Sequence, residues 1–369
     1  MNTTFPFGLE PPVAFYMTLS MLTLVLHVIF MAYVLAGSLY IAWATVFSGN
    51  GHIARTRRPV AALLREWMPF MLSGAITAAV APLLFIQVIY RQQFYASNLL
   101  LGWRWLMVIP VLIVAFYLLY LLKSRAVANW SVMARCSLAM GVAGSLVFVA
   151  FCWTTNHLLS IQSETWAHVW ETGDVVASAA QLSLRLLMWI AGVFPVMSVL
   201  VAWQLWGTAD SAEAAIDPSA GQSRSLSRMS LIALVVSGLS GFAYVCLLPD
   251  AVQRNLIGPA GRAWLLTAAV GLVIQGSGWV RYWNPLRVPT VTLSVIALGT
   301  LTTITATACL REIVRVTQSD LTLVEVNCRA AATIGGFGLF LAGLLLNLLL
   351  IGWCLKLVSS SLKDKRIAE

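Results

Sequence analysis

The chain has 369 residues, 60% hydrophobic and 10% charged, and its 23 Lys and Arg against 14 Asp and Glu give a formal net charge of +9. A mean hydropathy of +0.85 excludes a soluble globular domain. The basic residues sit in short loops between apolar spans, so the charge is assigned to membrane asymmetry rather than to nucleic acid.

Apolar stretches of about 20 residues, enough to cross roughly 30 Å of hydrocarbon, recur along the whole sequence. Period-2 strand patterns are absent, which points to helices and not to a barrel. The opening MNTTFPFGLEPP lacks the basic flank and small-residue cleavage site of a signal peptide, so the first span is read as retained. Nine spans are expected, near 14–46, 67–90, 103–122, 136–159, 178–206, 229–248, 262–280, 289–310 and 330–357. The long first span must tilt or protrude, and an odd number places the termini on opposite sides. With the N-terminus outside, 15 of the Lys and Arg fall on inner segments and seven on outer ones, while Arg185 lies within a span. That bias orients the protein with its N-terminus outside and its C-terminus cytoplasmic. The expected fold class is therefore all-α, a polytopic transmembrane helix bundle of about nine spans.

The least apolar stretch, Thr208 to Arg228 (TADSAEAAIDPSAGQSRSLSR), reads as a flexible cytoplasmic linker. It divides the chain into a first half of five spans (1–207), the linker (208–228) and a second half of four spans with a short cytoplasmic tail (229–369). No extramembrane segment is long enough for a separate soluble domain, so work in the aqueous phase requires a partner. Six cysteines without CxxC or CxxCH spacing argue against c-type haem, an iron–sulfur site and a disulfide framework. No Gly-rich phosphate loop, HExxH or nucleophile–base pair supports hydrolysis or phosphoryl transfer.

Four histidines occur. His52 reads as a solvated residue of a basic inner loop, and His168, in the Trp-rich outer segment SIQSETWAHVWETGD, as part of an interfacial anchor. His157, in CWTTNHLLS, is expected near the outer end of the fourth span, within reach of water. His27 is different, because LVLHVIFMAYVLAG places its imidazole in a stretch with no charge from Pro11 to Gly51. An intramembrane ionisable residue is a functional hypothesis by default. The ring pairs either with Thr23 one turn earlier, or a Ser, Tyr or carbonyl of an adjacent helix, or with haem iron. An oxygen holding one ring nitrogen and iron the other are compatible.

Near the outer end of the eighth span, ACLREIVRVTQSD puts Glu312 and Arg315 at i, i+3 on one helical face with Arg311 adjacent. Either this is a snorkelling helix end, or Glu312 is an anionic iron ligand or proton-handling group with arginines placed for haem propionates. Arg185, in QLSLRLLMW, reads as snorkelling to the outer interface, against contact with a propionate or quinone.

His27 within LHVIFMAYVLAGSLY resembles the first helix of subunit I of cytochrome bd-type quinol oxidases, whose histidine is a haem ligand. FMLSGAITAAVAPLLFIQVIYRQQFYASN is similar to that family's second helix and the loop leaving its outer end. Glu312 and Arg315 stand where the family carries a glutamate haem ligand followed three residues later by an arginine, and nine spans with the N-terminus outside agree. The chain also departs from the pattern. Its fifth span, SLRLLMWIAG, has no histidine, its third, WLMVIPVLIVAFYLLYLL, has no acidic residue, and only Pro249 to Arg262 connect spans six and seven, where the family has an extended quinol-binding loop.

What the resemblance implies is a multi-pass subunit of a respiratory complex in the bacterial inner membrane. It would hold one or two b-type haems, with His27 and Glu312 as iron ligands and Arg311, Arg315 and Arg185 as further cofactor contacts. Electrons would pass between membrane quinol and a periplasmic cytochrome c or another respiratory subunit. A haem-free anchoring subunit is the competing expectation. A terminal oxidase and a transporter, the latter built on the dispersed Gln87, Gln181, Arg185, Gln275 and Asn347, rank below.

Overall fold

The computed structural model describes residues 5–47, 52–208, 219–283 and 290–333, and beyond them 338, 341–346, 349–350, 353 and 356. Among the described residues the regular elements are all helical: α1 (Pro11–Val46), α2 (His52–Ile89), α3 (Arg91–Leu101), α4 (Trp103–Leu106), α5 (Val108–Lys123), α6 (Val132–Ile161), α7 (Trp166–Thr172), α8 (Ala179–Thr208), α9 (Ser219–Cys246), α10 (Asp250–Ile257), α11 (Pro259–Tyr282), α12 (Thr290–Thr317) and α13 (Leu321–Thr333). Eight stretches are long and apolar enough to cross a membrane: Pro11–Val46, Pro59–Ile89, Trp103–Lys123, Val132–Ile161, Ala179–Trp206, Gly221–Cys246, Pro259–Tyr282 and Thr290–Thr317. They coincide with the first eight expected spans to within several residues. Of the ninth, near 330–357, about half the residues are described, and those are helical.

Helix α1 opens with proline at its first turn, where the missing N–H would be unpaired in any case. Its 36 residues make a rod of about 54 Å at the α-helical rise, longer than the hydrocarbon core, so it tilts or extends beyond it. This helix is the axis of the bundle, packing on α2, α6, α8, α12 and α13. Small residues allow the close approaches on which membrane helices depend. A Cβ at Gly74 on α2 would lie 2.6 Å from the Phe30 ring of α1, and one at Gly299 on α12 would lie 2.5 Å from the Gln275 backbone nitrogen of α11. Between those last two helices Gln275 Nε2 donates to the Thr303 hydroxyl at 2.8 Å and accepts from Thr300 through Oε1 at 3.2 Å.

Apolar packing collects in two layers. Tyr33, Met68, Leu119, Met197 and Trp279 belong to the layer toward the far end of α1. Phe5, Met17, Tyr90, Leu158 and Ile313 belong to the layer at the end that carries the N-terminus.

Three segments differ from the sequence reading. Residues after Tyr90, expected as a loop, form α3, which buries Phe94, Ser97 and Leu101 on one face. It ends at Gly102 with φ 56° and ψ −127°, a conformation open to glycine because it lacks a Cβ. Within 208–228, helix α9 already begins at Ser219 and buries Gln222, Ser223 and Ser227, while 209–218 lie outside the described residues. The connector Pro249 to Arg262 holds the short α10.

Candidate functional site

His27 stands near the middle of α1, and its Nδ1 lies 2.9 Å from the carbonyl oxygen of Ala75 on α2. A carbonyl only accepts, so Nδ1 carries the proton and the lone pair is on Nε2. Thr23 takes no part, because its hydroxyl donates to the Leu19 and Ser20 carbonyls of its own helix at 2.8 and 3.1 Å. Of the oxygens considered for His27, the one realised is the carbonyl of an adjacent helix. The ring is half-buried, and among the described residues no group pairs with Nε2.

A second polar centre lies one to two turns inside the N-terminal end of the bundle, where five helices converge. Helix α12 contributes Arg311, Glu312 and Arg315, α6 contributes His157, α8 contributes Arg185, α9 contributes Tyr244, and Tyr90 sits between α2 and α3. Arg315 Nη2 donates to His157 Nδ1 at 2.6 Å, with Arg311 Nη2 3.5 Å from the same nitrogen. Glu312 Oε2 lies 3.8 Å from Arg311 Nη1 and 3.9 Å from Arg315 Nη1. Those separations exceed hydrogen-bond length, so the ion pairs are loose. Arg185 Nη1 donates to the Tyr244 hydroxyl at 2.8 Å, and its guanidinium carbon sits 5.1 Å from that ring's centroid. The Arg315 guanidinium lies over the Tyr90 ring in the same way, at 4.9 Å.

His157, Arg185, Glu312 and Arg315 are each 3% exposed. The snorkelling expected of Arg185 and the water-exposed position expected of His157 are therefore not what the fold adopts. The physical reason is the aromatic walls. Tyr244 and Tyr90 give the guanidinium groups a cation–π face and Tyr244 gives Arg185 a hydrogen bond, so the charges are held inward instead of reaching for the interface.

A guanidinium only donates, so the neutral His157 ring accepts at Nδ1 and carries its proton on Nε2. The two intramembrane histidines are thus in opposite tautomers: His27 presents a lone pair, His157 an N–H. Buried and without a hydrogen-bond partner are His157 Nε2, Glu312 Oε1, Arg315 Nε and Arg315 Nη1. The cluster holds three guanidinium groups and one carboxylate, which pairs with Arg311 and Arg315, an excess of two positive charges that no other described acid is paired to offset. Uncompensated ions inside a protein are costly, on the order of several kcal/mol each after relaxation.

Of the residues singled out from sequence, Glu312, Arg311, Arg315 and Arg185 come together, and His27 does not join them. Along α2, the Ala75 carbonyl that holds His27 lies 14 residues, about 21 Å, from the helix end at Ile89, next to the Tyr90 ring that faces Arg315. His27 therefore lies deeper in the bundle than the cluster around Glu312. Sequence reasoning left out Tyr90 and Tyr244 and gave His157 a minor place. The signal for His157 was the polar run Thr154, Thr155, Asn156, His157 inside an apolar span, all of it buried. His168 is exposed on α7, and the side chain of His52 lies outside the described residues.

The chain matches no family model, no curated protein and no solved structure.

Proposed function

We propose that the protein is a bd-oxidase-like integral membrane haem b subunit of a respiratory complex, passing electrons between membrane quinol and a periplasmic cytochrome c or a partner subunit. The observation that carries the proposal is the tautomer of His27. Its Nδ1–H is committed to the Ala75 carbonyl, which leaves Nε2 as the base. Metal-bound imidazoles have this outer hydrogen bond, which sets ring orientation and raises ligand basicity. The half-buried ring fits an assembly in which a second subunit completes the cover.

At the other centre Glu312 Oε1 has no partner and fits an anionic ligand for a separate iron, while Arg185, Arg311 and Arg315 fit propionates. Bound haem b supplies a ferric–ferrous couple for single-electron transfer. The chain's part is to hold the iron through His27, orient that ring through Ala75 and offer positive charge at the N-terminal end. With no histidine in span five, no acid in span three and no long loop after span six, electron transfer is favoured over dioxygen reduction. The charge bias supports an N-terminus on the outer side of a bacterial inner membrane.

Purified protein is expected to show reduced-minus-oxidised haem bands and a positive pyridine haem assay, with the bands lost or shifted in His27→Ala. A folded, colourless preparation would sink this assignment in favour of a haem-free anchoring subunit, a role in which His27→Phe is tolerated in assembly and activity.

A further inference from the structure

The buried cluster at the N-terminal end is more positive than its own residues can balance. Arg311 and Arg315 are paired with the single carboxylate of Glu312, Arg185 beside them is held by Tyr244, and His157 adds a neutral N–H. Among the described residues no other acid is ion-paired to these arginines. His157 Nε2, Arg315 Nε and Arg315 Nη1 are buried donors without a hydrogen bond, Nη1 having only the loose ion pair with Glu312, on side chains 3% exposed. Donors left in this state are costly until an acceptor reaches them. Arg311, with its side chain 15% exposed, is the member nearest the surface and marks the way in.

We propose that this cluster is a binding site for an anionic ligand held through carboxylate or phosphate oxygens, with a charge near −2. Guanidinium forks match the paired oxygens of either group, and His157 Nε2–H supplies a further donor. Basic pockets between membrane helices take anionic lipid headgroups by the same chemistry. A free dicarboxylate or phosphate entering past Arg311 satisfies the donors equally. The inference rests on the charge and hydrogen-bond state of the cluster and not on iron at His27.

Native mass spectrometry of the full chain in detergent, joined to melting curves in sodium phosphate and sodium succinate against sodium chloride at equal ionic strength, tests it. A co-purifying anionic phospholipid adduct identifies the lipid source. Adduct-free protein with a saturable rise in melting temperature in phosphate or succinate identifies the free anion. In either case Arg311→Gln, at the partly exposed edge where folding is least threatened, is expected to weaken occupancy about tenfold, and His157→Leu to weaken it as well. A haem adduct counts for the site if its retention falls in Arg311→Gln and against it if retention is unchanged. The absence of both adduct and saturable shift, or equal binding by wild type and Arg311→Gln, overturns the proposal. Occupancy by lipid or phosphate without haem bands would sink the haem assignment and leave this site standing. His27-dependent haem bands without any anion effect would do the reverse.

Discussion

At the scale of single residues, Glu312 is the side chain on which the most depends. It is the only described anion among three guanidinium groups, so Glu312→Gln raises the excess from two positive charges to three. Removing one partner of a buried ion pair costs about 3–5 kcal/mol, and a melting temperature many degrees below wild type is the expected outcome. Tyr244→Phe is a gentler probe: it deletes the 2.8 Å acceptor of Arg185 while keeping the aromatic face, for a loss of about 1.5–3 kcal/mol. A wild-type melting curve for Glu312→Gln would mean that the carboxylate is not compensating those cations. The carboxylate and its arginines were visible in the sequence as an i, i+3 pair. His157 was not tied to them, because it lies 158 positions from Arg315 and meets it only through the packing of α6 against the rest.

Among elements, the α11–α12 pair shows how small residues set a helix crossing. Gly299 meets the backbone of Gln275, which cannot move aside, so Gly299→Val is expected to destabilise by about 1–3 kcal/mol through overpacking. Gly276, with no atom within 4 Å of an added Cβ, should accept alanine with little change in the same melting assay. Helix α13 offers a pH-dependent contact outside the spans. The Thr322 hydroxyl and backbone N–H donate to Asp320 Oδ1 at 2.6 and 2.9 Å, which holds the Asp320 carboxyl below the usual carboxylate range. A depressed carboxylate stabilises above its unfolded pKa and loses that effect as pH falls through the folded one. Protection of the Thr322 amide from hydrogen exchange should therefore be full at neutral pH and decline in acid, and Asp320→Asn should weaken it at neutral pH. The spans were legible because each is a continuous apolar run. Helix α3 was read as loop because its buried residues are spread over a short amphipathic face and do not form such a run.

For the whole molecule, the eight spans and the distribution of Lys and Arg make a topology that can be checked from outside the cell. With the N-terminus outside, a membrane-impermeant maleimide is expected to label His168→Cys in intact cells and Arg281→Cys only after permeabilisation. Both positions are exposed. The opposite pattern would invert the orientation and move the anion site to the cytoplasmic face. The packing puts the charged cluster and His27 at different depths, the Ala75 partner of His27 lying about 21 Å along α2 from the end next to Tyr90. Two separate centres follow, one presenting a base in the middle of the bundle and one presenting donors near its N-terminal end.

The sequence by itself determined the membrane class, the helical architecture and the approximate ends of eight spans, because hydrophobicity and length act along one dimension and need no partner. It also marked His27, Glu312 and the arginines as ionisable groups in apolar surroundings. Only the tertiary structure decided which nitrogen of each histidine carries the proton, that Arg185 turns inward, and that Glu312 and His27 belong to different centres. Those outcomes depend on how far each helix is rotated and how deep each residue lies when α1, α2, α6, α8, α9 and α12 pack together, and neither quantity is written in any single helix.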